Sequence, residues 1–205
     1  MKKLFFLFVV RPLVLFAMGL HVRGKENLRY DVPSIIVANH NSHLDTLILM
    51  SLFPTSFIDR VRPVAAADYF FKNRALKWFA LNIMGIIPIT RKVKASSTHP
   101  LQGAMDALDR GESIIVFPEG SRGEAEQLGE FKSGVAHLAK SYPHIAVIPI
   151  NIYGAGKSLP RGEALLVPFI ADVSIGKASY FNEGSVTEFT KALEEQIKTL
   201  RTKGE

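Results

Sequence analysis

From residue 34 onward, short apolar runs of strand length alternate with stretches of helical period. That alternation predicts an α/β domain, a mostly parallel sheet of about seven strands flanked by helices. The apolar runs predict strands at Ser34–Ala38, Val61–Ala66, Ile86–Thr90, Ser113–Phe117, Ala146–Ile152, Ala164–Phe169 and Val173–Ala178. Between them, Pro100 suits a first helical turn, Leu101, Ala104, Met105 and Leu108 repeat on one face, and Gly111 supplies a stop. Near the C-terminus, Ser185 and Glu188 form a capping-box pattern ahead of Phe189, Leu193, Ile197 and Leu200, a helix expected to cover the sheet. No repeat, low-complexity tract or linker marks off a second domain in this part of the chain.

The first residues follow a different pattern. Leu4 to Leu20 is almost wholly apolar behind Lys2 and Lys3, but Arg11 and Pro12 interrupt it. A membrane-crossing helix needs about 20 apolar residues without a central charge, so the run is a poor span. A secretory signal and a buried core helix are competing readings. The preferred one is a broken helical hairpin lying in the membrane interface, with its basic residues near headgroups. Residues 1–27 are therefore set apart as a membrane-associating segment, and 28–205 as the catalytic domain. Excision of residues 1–20 is expected to leave a folded, soluble domain.

Length and charge narrow the picture. A chain of 205 residues holds one domain with a substantial core. Its net charge of +6 favours anionic partners without choosing among them. Aromatic residues sit in apolar runs and are not interleaved with Lys and Arg, which argues against a nucleic-acid binder. With no cysteine there is no disulfide framework, thiolate nucleophile or Cys-ligated zinc.

Polar clusters follow directly after predicted strands: Asn39–Asp45, Arg91, and Glu119–Arg122. Parallel strands would bring them to one edge of the sheet, where open α/β sheets carry ligand sites. Ser42 is a good N-cap, so a helix is expected to start at His43 and leave His40 in the preceding loop, able to curl back to Asp45. In that arrangement the carboxylate orients the imidazole and the other ring nitrogen accepts a proton. Taken alone, a loop histidine and a helix-capping acid explain the same residues. Arg91 and Arg122 offer planar guanidinium groups to a phosphate, and Gly120 lets backbone approach a ligand; singly, either arginine is more often a surface charge than a ligand. Phe131-Lys132-Ser133-Gly134 opens a helix whose positive end favours an anion, or whose Gly134 simply permits close packing. His40, His43 and Asp45 are crowded, yet no further ligand pattern supports a metal. Gly154–Ser158 looks like the end of a nucleotide-binding loop, but Asn151 replaces its first glycine. No Gly-x-Ser-x-Gly elbow is present to mark a serine hydrolase.

Taken together, these blocks resemble the glycerolipid acyltransferase family. Asn39-His40-Asn41-Ser42-His43-Leu44-Asp45 resembles its Asn-His-x-Ser-x-x-Asp block, and Phe117-Pro118-Glu119-Gly120-Ser121-Arg122 its Phe-Pro-Glu-Gly-Thr/Ser-Arg block. Gly85–Arg91 and Val147–Ile150 look like the second and fourth blocks. The resemblance implies single-displacement acyl transfer without a cofactor, from a coenzyme A or acyl-carrier-protein thioester to lysophosphatidate or a related lysophospholipid; the alternatives are glycerol 3-phosphate as acceptor, or a phospholipid-binding protein without catalysis, against which the intact His40–Asp45 pair speaks. His40 would be the general base and Asp45 its orienting partner, while Arg91, Glu119, Gly120, Ser121 and Arg122 would place the acceptor. Tyr69, Phe70, Phe71, Trp78, Phe79 and Met84 are available for an acyl-chain groove, or for ordinary core packing. Such a protein is expected at a membrane surface, on its cytoplasmic face.

Overall fold

A computed structural model describes residues 1–14, 19–42, 44–71, 73–89, 99–121, 127–155 and 170–202. Its centre is a seven-stranded sheet of order β1-β7-β6-β2-β5-β3-β4. The strands are β1 (Leu20–Arg23), β2 (Ser34–Ala38), β3 (Val61–Ala66), β4 (Ile87–Ile89), β5 (Ser113–Val116), β6 (Ala146–Tyr153) and β7 (Ala171–Ile175). β2 lies parallel to both β5 and β6, and β3 is parallel to β5 and β4. β7 runs antiparallel to β6 and carries β1 parallel to itself at the edge.

The Ile- and Val-rich runs are central because both their faces are covered. Every residue of β2 is buried, as is nearly all of β6. Ile36 and Ile148 point into a core layer with Phe6, Val10, Ile48 and Leu49. Ile35, Val37 and Val147 point the other way, toward Ala104, Leu108, Leu138, Leu193 and Ile197. This is the two-sided burial a parallel sheet requires. Helices on the first face are α1 (Lys2–Phe5), which continues through a π-helical stretch Phe6–Val10, and α2 (Leu44–Ser51). α3 (Ala67–Phe70) and α4 (Arg74–Phe79) follow β3, α4 running on into the π turn Ala80–Met84. The other face holds α5 (Gln102–Asp109), α6 (Gly134–Ser141) and α7 (Val186–Thr202).

Two local signals stand where the sequence places them, whereas Pro100, expected in a first helical turn, precedes α5, which starts at Gln102 after its cap Leu101. Gly111 follows α5 with φ of 74°, and its N–H donates to the carbonyl of Leu108. Ser185 and Glu188 make a reciprocal box: the Ser185 N–H donates to the Glu188 carboxylate at 2.8 Å, and the Glu188 N–H to Ser185 Oγ at 3.1 Å.

The N-terminus differs from expectation. Phe6, Val10 and Val14 are at most 2% exposed, Lys2 Nζ donates to the Val61 carbonyl at 2.8 Å, and Arg11 donates to the Phe53 carbonyl at 2.9 Å. One face of the segment is thus core, and the leading Lys2 and the interrupting Arg11 both find backbone acceptors. The expectation that residues 1–20 are dispensable for folding is corrected on that ground. Leu20–Arg23, inside the span assigned to the membrane segment, forms the edge strand β1, whose four residues gave no clear strand pattern. The last predicted strand forms as Ala171–Ile175, not Val173–Ala178. The predicted strand at Ala164–Phe169 lies outside the described residues. Among the described residues no helix is long and apolar enough to cross a membrane.

Candidate active site

β2 and β5 are neighbours, so the loops leaving their C-terminal ends adjoin. The first loop is pinned before it reaches His40. Asn39 is buried, its side-chain amide donating to the Ile152 carbonyl at 2.8 Å and its carbonyl oxygen accepting from the Ile152 N–H at 2.7 Å. This side chain extends the β2–β6 ladder by one step where the backbone turns away.

α2 begins at Leu44, whose N–H donates to Ser42 Oγ at 3.3 Å, so Ser42 caps the helix as expected. His43 lies outside the described residues. Asp45, in the first turn of α2, is fully buried. Its Oδ2 accepts from the Asn41 N–H at 2.7 Å, the Ser42 N–H at 2.8 Å and His40 Nδ1 at 3.0 Å. Three donors on one oxygen suit an ionised carboxylate, which only accepts. With Nδ1 as donor, the lone pair of the imidazole stands on Nε2. The His40 side chain is 19% exposed, and among the described residues its Nε2 has no hydrogen-bond partner. Phe117 stacks on the ring at 4.1 Å between centroids. The arrangement is a fixed imidazole with one basic nitrogen open, the geometry a general base needs.

From the second loop Glu119 reaches back to the first. It is 6% exposed; Oε1 accepts from the His40 N–H at 2.8 Å and Oε2 from the Gly129 N–H at 3.1 Å. Burial raises its pKa above the usual 4.5, against the lowering effect of those two backbone bonds. Both oxygens are engaged within the protein, so Glu119 ties the His40 backbone to the 127–130 segment, a role its sequence context did not suggest. Gly120 has φ of 73°, and a Cβ there would stand 2.6 Å from Lys132 Nζ. The fold therefore sets a lysine against this turn. Ser121 is exposed beside it. Arg91 and Arg122 lie outside the described residues. Among the described residues no group of three His or acidic side chains is placed to hold a metal.

Phe117 opens the second quoted block and Lys132 lies in the helix start Phe131–Gly134, so both segments carried a signal in the sequence. It did not show that Phe117 stacks on the His40 ring or that Lys132 lies against Gly120.

The family model described as Acyltransferase matches residues 19–153, a span that contains both loops. This chain belongs to the acyltransferase family. Within that family it is 34% identical over 145 residues to a chloroplastic 1-acyl-sn-glycerol-3-phosphate acyltransferase of Arabidopsis thaliana, covering 70% of this chain and 38% of that one. It is 30% identical over 149 residues to the mouse (Mus musculus) 1-acyl-sn-glycerol-3-phosphate acyltransferase alpha, covering 72% of this chain and 50% of that one. The aligned region thus spans half or less of these two relatives' lengths. The crystal structure of a 1-acyl-sn-glycerophosphate acyltransferase from Thermotoga maritima superposes with a TM-score of 0.74 at 22% identity, covering 96% of this chain and 80% of that one. That likeness shows a shared fold over nearly all of this chain.

Proposed function

We propose that this protein transfers a fatty acyl group from a thioester to the free hydroxyl of lysophosphatidate, giving phosphatidate. The observation that carries the reading is the His40–Asp45 contact at 3.0 Å, which leaves the opposite imidazole nitrogen basic and accessible. His40 Nε2 takes the proton of the acceptor hydroxyl as its oxygen attacks the thioester carbonyl carbon. The tetrahedral intermediate then collapses, the carbon–sulfur bond breaks, and the leaving thiolate takes the proton back from the imidazolium. Asp45 holds the tautomer and stabilises the imidazolium, and Glu119 holds the His40 backbone in place. Arg91 and Arg122, with Gly120, Ser121 and Lys132, bind the acceptor phosphate in this reading. The donor is a coenzyme A or acyl-carrier-protein thioester. Because the acceptor is a bilayer lipid, the reaction takes place at a membrane surface, on its cytoplasmic face.

The 1-acylglycerol-3-phosphate acyltransferases among the relatives support this acceptor. Its test is incubation of the purified protein with both donor thioesters and with lysophosphatidate, glycerol 3-phosphate or monoacylglycerol as acceptor, followed by product mass. Phosphatidate formed together with an equal amount of free thiol is the expected result. Thiol release without an acylated lipid would mean a thioesterase, and acylation of glycerol 3-phosphate alone would move the acceptor.

A further inference from the structure

The large apolar side chains that the fold leaves exposed are concentrated in two places. Leu4, Leu7 and Phe8 project from α1 and its π-helical continuation, while Tyr69 and Trp78 project from α3 and α4 and Phe71 from the cap that ends α3, with exposures from 43% to 68%. The two groups sit on adjoining elements. Phe5 meets Phe79 edge-on at 5.3 Å, joining α1 to the end of α4. Aromatic and aliphatic side chains gathered over adjoining elements exceed the scattered exposure normal for a soluble surface.

We propose that this composite face, α3 and α4 together with α1, docks onto an anionic phospholipid bilayer. Charge and aromatic chemistry select this occupant. Lys77 Nζ sits 4.4 Å over the Phe71 ring, and Arg74 opens α4, so the apolar patch carries cations that lipid phosphates neutralise. A second copy packed face to face would instead set these cations against their own kind. Tyr69 and Trp78 have the mixed apolar and polar character that favours the headgroup level. The placement also serves the proposed reaction, on which its functional meaning rests. α3 starts at Ala67, directly after the C-terminal end of β3, and this is the sheet edge that carries His40 and Glu119. A bilayer against α3 and α4 therefore lies beside the edge where a lipid acceptor enters. Tyr69, Phe71 and Trp78 face outward to lipid on this account and do not line an acyl-chain groove.

Trp78 is the sole tryptophan of the chain, so its fluorescence reports on this face alone. The full-length protein is titrated with phosphatidylcholine vesicles with and without phosphatidylglycerol. Phosphatidylglycerol vesicles are expected to shift Trp78 emission to the blue and shield it from acrylamide. Phe71→Ser with Leu76→Ser, both at exposed positions, is expected to weaken vesicle binding about tenfold or more while leaving acylation of a short-chain, water-soluble lysophosphatidate unchanged. Arg74→Glu with Lys77→Glu, which removes no apolar surface, is expected to abolish the preference for phosphatidylglycerol. Vesicle flotation with an unshifted Trp78 would overturn the proposal, and so would failure to bind. A blue shift that depends on protein concentration without lipid would identify a second copy as the occupant instead. If Trp78 shifts on vesicles but no acceptor is acylated, the docking face stands and the proposed reaction falls; acylation without the shift has the opposite meaning.

Discussion

His40 and Asp45 make different contributions, and their variants separate them. His40 is partly exposed and its side chain lies at the sheet edge against Asp45 and Phe117, so His40→Ala is expected to lower turnover about a hundredfold or more while the protein stays folded. Asp45 is buried and accepts from the Asn41 and Ser42 amides as well. Asp45→Asn therefore should lose activity and also about 1–3 kcal/mol of stability, because a neutral amide oxygen accepts from those three donors more weakly than the carboxylate oxygen it replaces. Turnover measured beside denaturant unfolding distinguishes the two; a folded His40→Ala protein with near-normal turnover would refute the mechanism. Glu119 makes a prediction in pH. Its folded pKa lies above the usual 4.5, so in the window above that value the native state keeps a proton that the unfolded chain has shed. Stability should accordingly fall as pH rises through the window, and Glu119→Gln should flatten that slope in unfolding midpoints collected across it. The residue types were legible from the chain. Glu119, however, looked like a substrate ligand, because its actual partner, the His40 amide, is 79 residues away in sequence.

The N-terminal helix shows how one element serves two environments. Burial of Phe6, Val10 and Val14 contributes about 1.5–3 kcal/mol each, a sum comparable with the whole stability of a domain. Deleting residues 1–14 is therefore expected to yield aggregated or unfolded protein, seen as loss of a cooperative melting transition; a sharp, unshifted melt would show that the helix is only an appendage. Lys2 tightens the same contact. Burial, followed by the neighbouring Arg62, lowers its pKa from 10.5 to about 8, while Asp59 and Glu112 pull the other way. Between those values the unfolded chain binds the proton that the native protein has released, so stability should rise with pH from about 8 to 10.5. Lys2→Met should remove that rise in melting temperatures taken over the range, and persistence of the rise would assign it to another group. Apolar composition alone marked the segment as lipid-seeking. Periodicity interrupted at Arg11 and Pro12 gave no sign of which face the sheet would claim.

At the level of the whole molecule, a basic chain with net charge +6 presents an apolar face beside the edge that holds the candidate site. Activity on lysophosphatidate embedded in anionic vesicles should fall as salt rises from about 0.1 M to about 1 M, while activity on a water-soluble acceptor changes much less, since screening acts on docking more than on the enclosed site. Equal losses in the two initial-rate series would place the salt effect in acceptor binding. By itself the sequence determined the α/β class, the central strands, the stop at Gly111 and the capping box at Ser185, and it put His40 within reach of Asp45 without deciding their contact, because each is encoded by residues within a few positions of one another. Only the tertiary structure decided that β7 turns antiparallel and carries β1, that Glu119 clasps the His40 backbone, that Phe117 and Lys132 border the site, and which side of the first helix is core. Those outcomes depend on contacts between segments far apart in the chain, where strand order and burial select the partner and local pattern does not.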